Sequence, residues 1–186
     1  MTLKGAFRHF HTITKHRHRV IAHCFRAGIP WRGLMHDLSK YTPTEFGEGA
    51  RCYQGTRSPN EKAREEKGHS AAWLHHQGRN RHHFEYWFDY NPKTHQREPV
   101  KMPLIFVVEM FCDRVAASKI YQGKAYTEEH PLQYFLRAKP TRVIHPDTSD
   151  LLESWLVMLK EKGEKETFRY LRKLKKRNAK YGKEDC

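Results

Sequence analysis

Apolar and polar positions follow a helical period along almost the whole chain. Over residues 3–27, Phe10, Ile13, Val20, Ile21 and Cys24 recur at helical spacing, and Gly28 with Pro30 closes the segment, which predicts a first helix. His16 and His23 ride on the flank of that apolar stripe. Residues 31–41 give a second short helix, with the adjacent pair His36-Asp37 inside it. Thr42-Pro43-Thr44-Glu45 then supplies a capping hydroxyl, a proline at the first helical position and a glutamate at the third, and Ser58-Pro59-Asn60-Glu61 repeats the punctuation. A polar helix is expected over residues 61–77, ended at Gly78-Arg79-Asn80. The aromatic run from His82 to Phe88 reads as helical, with Phe84, Tyr86, Trp87 and Phe88 in the core, and Asn91-Pro92 to Pro99 reads as a loop. Residues 104–121 form the most apolar helix, with Phe106, Met110, Asp113, Ala117 and Ile120 on one stripe. Asp147 is placed to cap a helix through Leu159. No strand or internal repeat is evident, so the expected fold is all-α: one domain over residues 1–186, a bundle of six to eight helices.

Composition narrows the class. At 186 residues the chain can bury a real core without staples, and 12% aromatic residues argue against disorder despite 30% charged residues and a mean hydropathy of −0.90. No run approaches the roughly 18 apolar residues of a membrane span, and the first eleven residues lack the apolar core of a signal peptide, so no membrane association and a cytoplasmic location are expected. Cys24, Cys52, Cys112 and Cys186 are widely spaced and suggest neither a zinc ribbon nor a disulfide framework. A net charge of +14 favours anionic partners, either phosphorylated small molecules or, less favoured, nucleic acid. Part of that charge is concentrated in residues 160–186, which carry 11 Lys/Arg against 5 Asp/Glu and read as a solvated basic helix.

Fourteen histidines are the more unusual excess, and their spacing matters more than their number. An imidazole beside a carboxylate in an apolar segment is costly unless something pairs them. His36-Asp37 therefore needs partners, and the chain offers a histidine on the first helix, the cluster His75, His76, His82 and His83, and Asp113. Each has a plainer reading. The histidines can be basic surface groups or nucleic-acid contacts, Asp113 an ion-pair partner of Arg19 or Arg79, and Glu109 either a support for a ligand or a solvent-facing group.

The order His16, His36-Asp37, histidine cluster, Asp113 resembles the H…HD…D signature of the HD-domain superfamily of metal-dependent phosphohydrolases, over roughly residues 10–120. His16-Arg17-His18-Arg19-Val20 looks like its first-ligand turn, with His23 as the alternative. His36-Asp37-Leu38-Ser39-Lys40 looks like its central turn, and Cys112-Asp113-Arg114-Val115-Ala116 like its closing helix. More narrowly, Thr12-Ile13-Thr14-Lys15-His16, the string from His36 to Phe46 and the string from Arg79 to Trp87 resemble the uncharacterised family DUF5662. The resemblance implies an HD-like helical bundle with basic C-terminal helices over residues 147–186 and a metal site between helices. It implies a metal set of His16, His36, Asp37, His76, His82, His83 and Asp113, holding one or two divalent ions (Mn, Fe, Zn or Mg). His76 and the His82/His83 pair are closer in sequence than the dinuclear members usually have them.

The activity so implied is hydrolysis of a phosphate ester or nucleotide-type substrate by a metal-activated water. Asp37 would serve the ions, and Lys40 and Arg79 the developing charge on the phosphoryl oxygens. Two alternatives stay open: a mixed-valent di-iron oxygenase using the same ligands, and a non-catalytic nucleic-acid-binding protein using the basic tail and aromatics.

Overall fold

The computed structural model describes residues 2–180; the end of the basic C-terminal run, up to Cys186, lies outside them. The described residues contain eight α-helices, one short hairpin and four short 3-10 turns; the helices and strands are α1 (Leu3–Ala27), α2 (Pro30–Met35), α3 (Pro43–Arg51), α4 (Pro59–Lys67), α5 (Ala71–Gln77), β1 (Phe88–Asn91), β2 (Gln96–Pro99), α6 (Leu104–Gln122), α7 (His130–Ala138) and α8 (Pro146–Lys180). The expectation of an all-α bundle of six to eight helices is met.

Helix α1 runs between the expected limits. The Thr2 hydroxyl accepts from the Gly5 amide, and Gly28 closes the helix in the left-handed region at φ 82°, where a side chain is strained. The buried positions of α1, including Ile13, His16, Val20, His23 and Cys24, form one face turned to the interior. The core joins that face to α6 through Val107, Val108, Phe111, Cys112 and Val115, and to α8 through Leu152, Trp155, Leu156, Leu159, Phe168 and Leu171. Helix α8 is continuous in sequence but breaks at Gly163, whose φ of 73° and ψ of 170° are not helical. Its beginning also differs in detail: Asp147 sits inside the first turn and pairs with Lys101 at 3.0 Å. Among the described residues no helix is long and apolar enough to cross a membrane.

Four local expectations are corrected. The segment 31–41 is not one helix: α2 stops at Met35, and a separate 3-10 turn covers Leu38–Tyr41. The polar helix expected over 61–77 is two helices, separated at Gly68 (φ 76°) and restarted by Ser70, whose hydroxyl accepts from the Trp73 amide. The aromatic run is a 3-10 turn, Phe84–Tyr86, leading into β1, which pairs antiparallel with β2 from Phe88 opposite Pro99 to Asn91 opposite Gln96. Strands therefore do occur. Of that run, Phe84 is buried and Trp87 packs on the core, while Tyr86 is exposed.

Gly33 fixes how closely α2 approaches α1. A β-carbon there would lie 2.7 Å from Cys24 Cβ and 3.1 Å from Ile21 Cα, too close for either helix to keep its place. Gly33→Ala is expected to destabilise the fold by about 1–3 kcal/mol, as overpacking does. Urea titration is the check, and an unchanged midpoint would mean that the helices separate freely. The approach matters because the residues that follow Gly33 carry His36 and Asp37.

Candidate metal centre

The chain leaves α2 at His36 and turns sharply at Asp37, which has φ 54° and ψ 25°. Aspartate is among the few residues that tolerate this region. Both residues are only 1% exposed, and this break between helices turns the Asp37 carboxylate inward. Arg17 on α1 holds the turn in place through the carbonyls of Leu34 and His36.

Around Asp37 the histidines divide by carboxylate oxygen. His36 Nε2 lies 3.2 Å and His16 Nε2 3.8 Å from Oδ2, and Asp113 Oδ1 is 2.9 Å from His16 Nε2 and 3.6 Å from His36 Nε2. On the other side His76 Nε2 and His82 Nε2 lie 3.3 and 3.4 Å from Oδ1, and His83 Nε2 is 2.9 Å from His76 Nε2. Two groups of possible ligands share Asp37, His16/His36/Asp37/Asp113 and Asp37/His76/His82/His83, and a third, His36/His82/Glu109, lies beside them. Donors bound to one ion at about 2.0–2.2 Å stand about 2.8–3.6 Å apart. All the separations above fall in that range except His16 to Asp37.

Hydrogen bonding supports the same assignment. His16 Nε2, His36 Nε2, His82 Nε2 and Asp37 Oδ1 are all buried, and none has a hydrogen-bond partner among the described residues. Buried polar atoms are normally satisfied, so four convergent orphans call for a ligand. The other ring nitrogens are satisfied from behind. Glu109, fully buried on α6, accepts at Oε1 from His36 Nδ1 (3.0 Å) and lies 3.3 Å from His82 Nδ1, while Arg32 binds its Oε2 at 2.7 Å. Glu45 receives both His75 Nδ1 and His76 Nδ1 at 2.7 Å. A proton held at Nδ1 leaves Nε2 with its lone pair free, which is the state a metal ligand needs.

Electrostatics agree. For Asp37 and Asp113 burial opposes ionisation but is outweighed: His36, Lys40 and His76 hold Asp37 well below the usual range, and His16 and His36 do so for Asp113. His36 is driven the other way, well above an ordinary histidine, because Asp37, Asp113 and Glu109 outweigh its burial. The ionised carboxylates of Asp37 and Asp113 thus meet at one point, with Glu109 behind His36, and favour a positive charge there. Burial pushes His16, His82 and His83 below the ordinary histidine value.

All seven histidines and aspartates expected as ligands therefore come together, drawn from α1, the turn after α2, α5, the loop after it, and α6. His75 stays outside the cluster as a partner of Glu45. His23, the alternative to His16, points elsewhere: its Nδ1 donates to the Cys112 carbonyl at 3.2 Å and its ring packs on Phe168. Asp113 pairs with His16 rather than with Arg19 or Arg79. Lys40 donates to Asp37 Oδ2 and lines a cavity beside the cluster. Arg79 is exposed and lines neither cavity described below, so the cluster does not include it. Glu45, expected at the third position of a capping motif, holds histidines instead, and Thr42 makes no side-chain cap.

Two cavities reach the cluster. One of about 210 Å³ is lined by His9, His16, Lys40, His76 and Tyr121, and one of about 830 Å³ by Trp73, Arg114, Tyr134 and Arg142. His83 and Asp113 belong to both walls.

His9 and His23 lie outside the ligand set and carry a separate consequence. Burial, with Lys40 adding for His9, pushes each down to about 4. Between about pH 6.5 and 4 the unfolded chain takes up protons that the folded chain refuses, so stability falls as pH falls through that window. In chelator-treated protein, the double variant His9→Gln/His23→Gln is expected to show a shallower fall in Tm from pH 7 to 4.5 than the native chain. Parallel curves would mean that these two rings protonate without opening the fold.

Fold and site together define a helical protein built around a buried histidine–carboxylate cluster whose atoms lie close enough to hold metal ions. The chain belongs to the family of unknown function DUF5662, whose profile matches residues 5–158. No curated protein and no solved structure matches it.

Proposed function

We propose that the protein is a metal-dependent phosphohydrolase of HD-domain type with a dinuclear centre bridged by Asp37. The observation that carries this reading is the division of ligands between the two oxygens of one buried carboxylate. His16, His36, Asp37 and Asp113 would hold one ion, and Asp37, His76, His82 and His83 the other. A pair of divalent ions in such a site supplies Lewis acidity toward a phosphoryl oxygen and acidifies water for attack.

The chain's own residues do the rest. Glu109 and Glu45 keep the protons of His36, His82 and His76 on Nδ1 and orient the rings. Lys40, in the wall of the smaller cavity beside the cluster, can exchange its bond to Asp37 for one to a phosphate oxygen. The 830 Å³ cavity is large enough for a nucleotide or phosphorylated metabolite. The arginines in its wall favour an anionic substrate.

The test is elemental analysis combined with a screen of nucleotides and phosphate esters, in air and without oxygen. Mn, Zn or Mg with phosphate release independent of oxygen is the expected result. Iron with oxygen-dependent turnover would replace hydrolysis by oxygenation on the same ligands. Salt-dependent nucleic-acid binding that survives both chelation and His36→Ala, without turnover, would replace both.

A further inference from the structure

We infer that Arg114 and Arg142 form a second anion subsite in the larger cavity, so that the substrate is a phosphate compound carrying a second oxyanion away from the scissile phosphate. The first anionic group of that substrate rests on the phosphohydrolase reading; the subsite rests on the arginines.

Several arginines of the fold are paired with carboxylates. Arg32 binds Glu109 at 2.7 Å, Arg26 binds Glu164 at 2.7 Å, and Arg57, in the wall of the same cavity, makes two bonds to Glu65. Arg114 and Arg142 differ from these, and they are the described arginines with a buried guanidinium nitrogen left unpartnered. Neither has a carboxylate within salt-bridge distance among the described residues. Arg114 Nε and Arg142 Nη1 are buried without any hydrogen-bond partner, and the one contact of Arg114 Nη2 is the Met110 sulfur at 3.8 Å. Arg142 lies over the rings of Phe84 (5.8 Å) and Tyr134 (5.3 Å), which hold its plane but do not neutralise it.

The nearby carboxylate does not resolve this. Glu85 lines the same cavity, yet its Oε2 is itself without a partner. Unpaired guanidinium groups gathered at a cavity wall are costly unless an acceptor arrives from the cavity, and their planar donors suit phosphate or carboxylate oxygens. Arg114 directly follows Asp113 on α6, and Asp113 and His83 belong to the same wall. One molecule in this cavity therefore has metal ligands on one side and arginines on the other. The ionised Asp113 repels an anion unless a cation intervenes, which leaves the arginine side to the second oxyanion.

Calorimetric titration of the metal-loaded protein with inorganic phosphate tests this. The native protein is expected to bind phosphate at two sites, one removed by chelation and one that survives it. Arg114→Gln and Arg142→Gln should each weaken the surviving site about tenfold or more, with the metal content unchanged. Arg142 lies in the loop before α8, so its variant guards against a folding defect in Arg114→Gln. Competition at the surviving site by pyrophosphate, by succinate, or by both distinguishes a phosphate from a carboxylate as the second group. The subsite is overturned if no phosphate binds after chelation, if both variants bind it like the native chain, or if neither competitor displaces it. Loss of the chelation-sensitive site alone would instead overturn the phosphohydrolase reading and leave the subsite standing.

Discussion

Asp37→Asn is expected to empty the proposed metal centre: from at least one divalent metal ion per chain in the native protein to less than about a tenth. The substitution is chosen because asparagine, like aspartate, accepts the left-handed backbone at φ 54°, whereas alanine would add strain to the loss of the carboxylate. Only the charge and the second acceptor oxygen go. Both ligand groups contain Asp37, so both lose their shared anion at once, and the surviving imidazoles would have to hold two divalent ions with Asp113 alone. A second readout separates metal loss from misfolding. An ion that binds the folded chain at a hundred times its Kd stabilises it by about 2.7 kcal/mol. The rise in Tm on adding metal should therefore be present in the native protein and absent in Asp37→Asn. Full metal occupancy in the variant would remove Asp37 from the centre and the proposed bridging with it.

How far the sequence foretold this site depends on what kind of signal each part needs. Helix α1 was legible because its apolar stripe and Gly28 are local, and His16 came with it. The pair His36-Asp37 was legible as chemistry but not as conformation. Nothing between Met35 and Tyr41 is glycine or proline, so the left-handed turn at Asp37 has no residue that announces it, and a continuous helix was the natural reading. The hairpin was hidden for a related reason. Its strands are four residues each and mostly polar, and its turn uses His95 at φ 56° where an asparagine or glycine would have given warning. Gly68-His69-Ser70 did carry a break signal, and the polar period on both sides concealed it.

Support from behind the ligands was the least legible. Glu45 sits three residues after Thr42, the spacing of a capping box, yet its carboxylate reaches thirty residues along the chain to His75 and His76. Local spacing cannot distinguish these uses, because the competing partner is brought by the packing of α3 against α5. The choice among the four clustered histidines was open in the sequence for the same reason. Both oxygens of Glu45 decide it: they take His75 Nδ1 and His76 Nδ1, but His76 alone also presents Nε2 to Asp37.

Glu109 is where the largest stability effect is expected. It is fully buried, yet its carboxyl is held at about 2: burial opposes the charge, and bonds from His36 and His82 overcome it. Arg32 completes the network from outside, its guanidinium 2.7 Å from Oε2 and resting over Phe106 at 4.7 Å. Glu109→Ala strips an acceptor from two buried imidazoles and a partner from the arginine at once. Removing one side of a buried charged network costs about 3–5 kcal/mol. Chemical denaturation of the metal-free variant should show a loss of that order. Glu109→Gln is the more informative partner, because its amide keeps the volume and can still accept from one histidine while losing the charge that holds Arg32. It should fold, and chelator competition should show metal affinity lowered about 10–100-fold, as loss of a hydrogen-bond partner behind a ligand does. An affinity equal to the native protein's in Glu109→Gln would mean that His36 and His82 are aimed by packing alone, and that Glu109 serves the fold rather than the centre.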